Sequence, residues 1–401
     1  MHRLLSGGLL SAAVALGLAS AAGAQPVIHR TGNTYYTAVC PDQVGLYAHC
    51  NAKVVTDKFG HPITSAQPPI SGLAPADLRD AYKITGNGKS STIIAIVDAF
   101  GYDNAERDLN VYREQFGLGD CTTDNGCFKK LNQKGQRKNY PAFNLGWAQE
   151  SALDLDMASA MCPNCQIWLI EAKRNNLANL AAAVAKAAEL GAHVISNSYG
   201  GGEGERTLAF EPYYDHPGVA VTASTGDGGF GVQAPADMPS VIAVGGTALT
   251  RDGSDRGWHE TVWSGAGSGC SKVFTKPSWQ LDTGCKGRTI GDVAADASPG
   301  TGVAAYVPVS ESTSGWRVFG GTSVAAPLVG GIFGNNGGKV DSASTLYAHT
   351  SALFDVTTGS NGSCGNGPLG LGKRKYLCTG EVGYDGPTGN GTPNGTAAFG
   401  D

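Results

Sequence analysis

The residues best placed to do chemistry begin at Gly320-Gly321-Thr322-Ser323-Val324-Ala325-Ala326-Pro327. A small, glycine-flanked serine precedes the apolar run Leu328 to Phe333. This pattern places Ser323 at a tight turn that opens a helix. There an exposed hydroxyl could attack a carbonyl, and the helix dipole would favour the negative charge that develops. The competing reading is a helix N-cap, where Ser and Thr are common.

A second stretch, Trp147 to Met161, reads as a helix carrying Glu150, Asp154 and Asp156. Glu150 and Asp154 are four apart and share a face, where like charges are destabilising. A solvated acidic face is the plain alternative. Ala, Leu, Met and Trp fill most of the remaining positions, which implies burial. Two close carboxylates in a poorly solvated site hold one proton between them and supply a general base with an orienting partner. Asp156 points to another side of the helix.

These groups need a scaffold. Ser91 to Asp98 is a continuous β-branched run, the pattern of a strand buried on both faces. Gln166 to Glu171, His193 to Asn197, Val219 to Ser224 and Val241 to Val244 repeat it. Leu177 to Leu190 reads as an alanine-rich helix ended by Gly191. This alternation predicts an α/β fold, a parallel sheet with helices on both faces, in one large catalytic domain. Active sites in such sheets gather at the carboxyl ends of strands. Asp98, Ser198-Tyr199-Gly200 and Gly226-Asp227-Gly228 all follow strands directly.

Residues 1–24 read as a signal peptide: Arg3, an apolar core from Leu9 to Leu18, and Ala22-Gly23-Ala24 as cleavage site. Export is expected, with no membrane association after its removal. Residues 25–68 show little periodicity and read as a short N-terminal extension or pro-segment ahead of a peptidase-sized domain over 69–401. The net charge of −5 and the lack of a basic cluster argue against nucleic acid as a partner. The ten cysteines fall in five close pairs: Cys40/Cys50, Cys121/Cys127, Cys162/Cys165, Cys270/Cys285 and Cys364/Cys378. Behind a signal peptide this implies five local disulfides. Cys162-Pro163-Asn164-Cys165 could instead serve redox chemistry or half a zinc site.

Three of these segments together resemble the sedolisins, the serine-carboxyl peptidases of subtilisin-like fold. Glu150-Ser-Ala-Leu-Asp154, with Pro163 beyond it, is similar to the family's Glu-x-x-Leu-Asp helix. Gly320-Gly-Thr-Ser323-x-x-x-Pro327 is similar to its nucleophile motif, and Ser224-Thr-Gly-Asp227-Gly-Gly to its oxyanion-hole loop. Ala243-Val-Gly-Gly-Thr247 extends the likeness, which runs in family order from about Pro69 to the C-terminus. The resemblance implies an endopeptidase working in acid on protein or peptide substrates. Ser323 would be the nucleophile, Glu150 the base, Asp154 its orienting partner and Asp227 the protonated oxyanion donor. Ser198, Tyr199 and Gly200 would line the substrate cleft, and Asp98 would support the carboxylates from outside. A monomer is expected.

The chain departs from the family at its start, because sedolisins carry a long pro-domain and here only residues 25–68 precede the likeness. An ordinary subtilisin shares the fold and the Gly-Thr-Ser motif, but it needs a His-Gly-Thr-His helix. None of the eight histidines has that context. A catalytically dead relative used for binding is the reading of a different class; it would be free to lose Ser323, Glu150, Asp154 or Asp227, and all four are present.

The resemblance also implies one calcium ion near the C-terminus. Phe354-Asp355-Val356 and Gly383-Tyr384-Asp385 resemble the family's ligand segments. The ligands would be the carboxylates of Asp355 and Asp385 and main-chain oxygens of Val356 and Gly383, with Glu381 nearby. All-oxygen ligation suits a hard cation. Ordinary turn chemistry is the alternative, since Asp and Gly favour turns.

Overall fold

The computed structural model describes residues 27–364 and 374–400. The signal peptide predicted at residues 1–24 lies outside the described residues.

The centre is an eight-stranded sheet whose interior strands run parallel. Strand Ile93–Ala99 pairs with Gln166–Ala172 on one side and Val194–Asn197 on the other. Ala220–Ser224, Ile242–Arg251 and Val293–Asp296 continue the parallel order. The one antiparallel partner in this sheet is the edge strand Trp258–Val262. Every sequence-predicted strand is present, with ends shifted by one or two residues except at the last. There the strand runs on from Ile242 to Arg251.

Strand alternation explains why both faces are covered. Ile94 and Ile96 enter a core with Leu153, Met157, Val329 and Phe333. Ala95 and Val97, pointing the other way, enter a second core with Leu180, Ala181 and Val184. Helices Leu145–Met161 and Thr322–Asn335 therefore pack together on one face, and Leu177–Glu189 on the other. Helix Leu145–Met161 is buried from Trp147 to Met161, and so its carboxylates lie in protein rather than at a wet surface. Asn144 caps it, its side chain accepting from the Trp147 amide.

Residues 27–68 pair with later parts of the chain. Strands His29–Thr31, Thr34–Ala38 and Lys53–Thr56 form a five-stranded antiparallel sheet with Ser314–Gly320 and Val303–Pro308. The last of the N-terminal strands pairs directly with the end of Ser314–Gly320, the strand that leads into Ser323. A boundary near residue 69 therefore cuts through a continuous sheet. The residues before it are held by ladder hydrogen bonds rather than by a periodic apolar face, which is why they look featureless in sequence.

All five cysteine pairs form disulfides between sequence neighbours, including Cys162–Cys165, so no zinc or dithiol site remains there. The glycine-rich tail is tied down. Strand Thr392–Pro393 pairs with Leu353–Phe354, and Phe399 meets Phe333 edge-on with ring centroids 5.0 Å apart. No described helix is long and apolar enough to cross a membrane.

Candidate active site

Gly321 turns the chain into helix Thr322–Asn335 with φ +99, a conformation that L side chains rarely adopt. Gly321 is the N-cap residue and makes no side-chain capping bond, so Ser323 is not a cap. Ser323 is fully buried, contrary to the exposed hydroxyl expected from its turn. The cause is the chain's own segment His49–Lys53, which lies across the helix start.

Glu150 and Asp154 lie within the buried stretch of the neighbouring helix. Burial raises the pKa of Glu150 well above the carboxylate range, and the nearby charge of Asp98 raises it further. The Ser323 hydroxyl and the Ala52 amide act in the opposite direction. The Ser323 hydroxyl lies close to Glu150, but its aligned hydrogen bond goes to the Ser198 carbonyl oxygen at 3.2 Å. Glu150 Oε2 accepts from the Ala52 amide at 3.0 Å. Catalytic hydrogen bonds often tighten only in the reacting complex.

Asp154 is raised by burial, then by Asp98 and Glu150, and lowered by the adjacent Ser198 hydroxyl. Asp98 ends its strand as expected, fully buried, and is itself pushed up to about 7 by burial. Three acidic side chains thus share one dry volume. Full ionisation there is unfavourable, so the group holds protons well above pH 4.

Asp227 approaches from the loop after Ala220–Ser224. Its Oδ1 accepts from the Thr322 amide and the Thr322 hydroxyl, each at 2.8 Å. Its Oδ2 is buried without a hydrogen bond and faces Lys53 Nζ at 3.7 Å. Burial raises the Asp227 carboxyl, and Lys53 only partly opposes that. A Cβ placed on Gly321 would stand 2.7 Å from Asp227 Oδ2 and 2.0 Å from the Asn51 carbonyl oxygen. Both oxygens therefore crowd the same point beside the helix start.

Ser198, Tyr199 and Gly200 run beside Ser323, whose hydroxyl donates to the Ser198 carbonyl. His49 pairs with Gly200 and Cys50 with Tyr199 in antiparallel register, and the Asn51 amide donates to the Ser198 carbonyl at 3.1 Å. The sequence reading missed Asn51, Ala52, Lys53, Thr322 and Gln233 as neighbours of the site. The Lys53-Val-Val-Thr56 run carries a strand signal, but nothing in it names its partner. No histidine bonds to Ser323 or Glu150 among the described residues.

Asp156 points away, as expected, and accepts from the Tyr306 amide at 3.0 Å. Asp156→Asn keeps that acceptor and touches none of the four candidates. Its kcat is expected to stay within about tenfold of wild type, against a loss beyond a thousandfold for Glu150→Gln. Equal losses would show that the two faces of the helix had been misassigned.

Asp355 and Asp385 are brought to one corner. Asp355 Oδ2 accepts from the Gly383 amide at 2.9 Å, and Asp385 from the Glu381 amide at 3.2 Å and from Thr388. Burial first, with a later contribution from Asp355, pushes Asp385 up to about 7. No group of three or more His, Cys, Asp or Glu side chains gathers for a metal among the described residues. A cation here would depend on main-chain oxygens beside the two carboxylates.

The model of the subtilase family matches residues 145–367, more than half of the chain. Kumamolisin from Bacillus sp. (strain MN-32) is 30% identical over 369 residues, covering 81% of this chain and 62% of that protein. Sedolisin from Pseudomonas sp. (strain 101) is 32% identical over 184 residues, 41% of this chain and 29% of that one. The chain thus spans less than two thirds of the length of these relatives. A solved structure of Pseudomonas sedolisin, a serine-carboxyl proteinase complexed with two molecules of pseudo-iodotyrostatin, superposes with a TM-score of 0.66 at 24% identity. It covers 82% of this chain and 96% of that one, a likeness of fold.

Proposed function

The chain belongs to the subtilase family and, within it, to the sedolisins, and from that premise we propose that it is a secreted serine-carboxyl endopeptidase acting on protein or peptide substrates in acid. Ser323 attacks the peptide carbonyl carbon. Glu150 takes the hydroxyl proton and returns it to the leaving nitrogen, while Asp154 orients Glu150 and shares its proton. Protonated Asp227 donates a hydrogen bond to the oxyanion, a task that needs a preorganised donor where the charge develops. Ser198, Tyr199 and Gly200 hold the substrate as an added strand.

One observation carries this reading. Asp227 is bonded to both polar groups of Thr322, directly before Ser323, while Glu150 reaches the same place from the facing helix. The test is digestion of acid-denatured haemoglobin, with fragments read by mass spectrometry. Internal cuts in acid are expected. Trimming from chain ends alone would make it an exopeptidase, and no cleavage at any pH would favour a binding protein.

The same reading includes one calcium ion held by Asp355, Asp385 and main-chain oxygens of Val356 and Gly383, with Glu381 beside them. Buried Asp385, with no cationic partner among the described residues, supports it. A ligand bound only by the folded state stabilises it by mass action. Chelation at mildly acidic pH is therefore expected to lower the melting temperature by roughly 5 °C, and to leave Asp385→Asn unmoved. Identical melting of wild type with and without chelator, together with no calcium by elemental analysis, would reduce the two aspartates to turn residues.

A further inference from the structure

The chain carries a net charge of −5, yet one stretch of it is basic: Lys129, Lys130, Lys134, Arg137 and Lys138 are followed by no acid before Glu150. The fold sets this stretch beside Lys173 and Arg174. Strand Phe128–Asn132 pairs in parallel with Gln166–Ala172, so both strands end on the same side. Beside the two strand ends lies a cavity of about 730 Å³, lined among others by Lys134, Lys173, Arg174, Phe100, Tyr140 and Glu171.

The cationic rim is braced from below. Buried Asn132 accepts from the Lys134 amide at 2.9 Å and the Gln136 amide at 3.1 Å, and donates to the Lys138 carbonyl at 2.7 Å. Gln133 Oε1 accepts from the Lys173 amide at 2.6 Å, which ties the two loops together. Lys134, Lys173 and Arg174 are exposed and form no salt bridge among the described residues. Lys130, by contrast, is engaged: it donates to Asp103 at 3.2 Å and lies 3.6 Å from Glu171 Oε1. Glu171 is 1% exposed, and its Oε2 has no partner. Burial pushes this carboxyl up to about 7; Lys130 and the Tyr102 amide oppose the rise, and Asp103 adds to it. Asp98, its register partner on Ile93–Ala99, and Tyr140 are further titratable neighbours. In acid Glu171 therefore holds a proton and offers a donor inside the cavity.

The cavity lies beside the path of a bound strand. The Ala48 amide donates to the Asn175 carbonyl at 2.7 Å and the Leu177 amide to the Leu46 carbonyl at 2.9 Å, while His49 and Cys50 pair antiparallel with Gly200 and Tyr199. The Asn51 carbonyl oxygen lies against Gly321 beside Asp227, where the oxygen of an attacked carbonyl belongs. Tyr47, four residues earlier, lines the cavity together with Asn175. A substrate strand in the same path brings there the side chain of the fifth residue before the cut.

We propose that this cavity is a second specificity site of the peptidase: it takes an acidic side chain at the fifth residue before the bond to be cut, with Lys134, Lys173 and Arg174 around the carboxylate and Glu171 beneath it. The inference rests on the peptidase reading above and deepens it. A lysine at that place meets charges of its own sign, and a carboxamide forgoes the attraction of three unpaired cations. The strand path beside the cavity holds a peptide main chain, which favours a peptide over other anionic polymers.

The experiment uses peptides that differ only in carrying Glu, Gln or Lys at one place, with the Glu also walked over the six residues before the cut. The full chain and its Lys173→Gln/Arg174→Gln variant digest them near pH 5, and the cut is located by mass spectrometry. Glu at the fifth place should lower KM by roughly tenfold relative to Gln, with kcat unchanged, and Lys should raise it. The advantage of Glu should shrink as salt rises, and as pH falls through about 4.3, where the substrate carboxylate takes up its proton. The double variant should treat Glu and Gln alike while cutting the Gln peptide and haemoglobin as wild type does. Equal KM for Glu and Gln in wild type, or a Glu preference that the double variant retains, overturns the site. A preference that peaks at another place overturns the path leading to it. In each of these cases digestion of haemoglobin leaves the peptidase reading standing. Failure to cut any peptide or haemoglobin overturns both readings.

Discussion

Ser323→Ala is expected to lose turnover of external protein by at least roughly 10⁴-fold while keeping its fold and melting temperature. Ser323 makes one aligned hydrogen bond, to the Ser198 carbonyl, and sits at a helix start whose geometry is set by Gly321 and the Thr322–Asp227 bonds. Removing the hydroxyl gives up that one bond and leaves the Gly321 turn and the Thr322–Asp227 bonds in place. Glu150→Gln should cost nearly as much, because members of a catalytic unit are not additive and each removes most of what the unit achieves. The two variants differ in one readout. Glu150→Gln relieves a buried, charge-crowded carboxyl whose pKa is raised by burial and by Asp98, so it should melt no lower than wild type. A Ser323→Ala variant that retains activity above a hundredth of wild type would remove the nucleophile assignment, whatever its stability.

The second large effect is in pH. Activity is expected to be greatest in acid and to fall about tenfold per pH unit once Asp227 has lost its proton. The sign follows from the role. An oxyanion donor must be protonated, so the active form of Asp227 exists below its pKa and is lost as pH rises through it. Burial raises that pKa above the ordinary 3.8, and the Lys53 ammonium and the Thr322 hydrogen bonds limit the rise. The carboxyls of Glu150 and Asp154 are likewise raised, by burial and by Asp98. A histidine base would give the opposite slope, gaining activity as pH climbs past about 6.5. Asp227→Asn keeps a donor at every pH. Its profile should therefore be lower at the optimum but extend to higher pH. A wild-type profile that rises to a plateau at neutral pH would restore the subtilisin reading, and an unshifted profile for Asp227→Asn would take the titration away from Asp227.

Much of this protein is written locally. Strand Ile93–Ala99 announces itself because both its faces are buried, so every position must be apolar up to Asp98. The helix bearing Glu150 and Asp154 is legible from its Ala, Leu and Met positions and its lack of breakers from Trp147 to Met161. The start of the nucleophile helix is legible from a glycine that only a left-handed turn requires. The neighbouring cysteine pairs are likewise determined by short chain separation. What local pattern could not decide is what covers Ser323. The segment from His49 to Lys53 is held by main-chain hydrogen bonds to Ser198 and Tyr199–Gly202 and by single side-chain contacts to Ser224, Gln233 and Asp227. Backbone amides and carbonyls are the same in every residue, so a strand's partner leaves little mark on its composition. The partners lie some 150 to 185 residues away along the chain, and only the closed fold brings them within bonding distance. For that reason the chemistry could be read from residue types and spacing, while the occupant of the cleft, and the burial of the serine beneath it, were decided by tertiary structure.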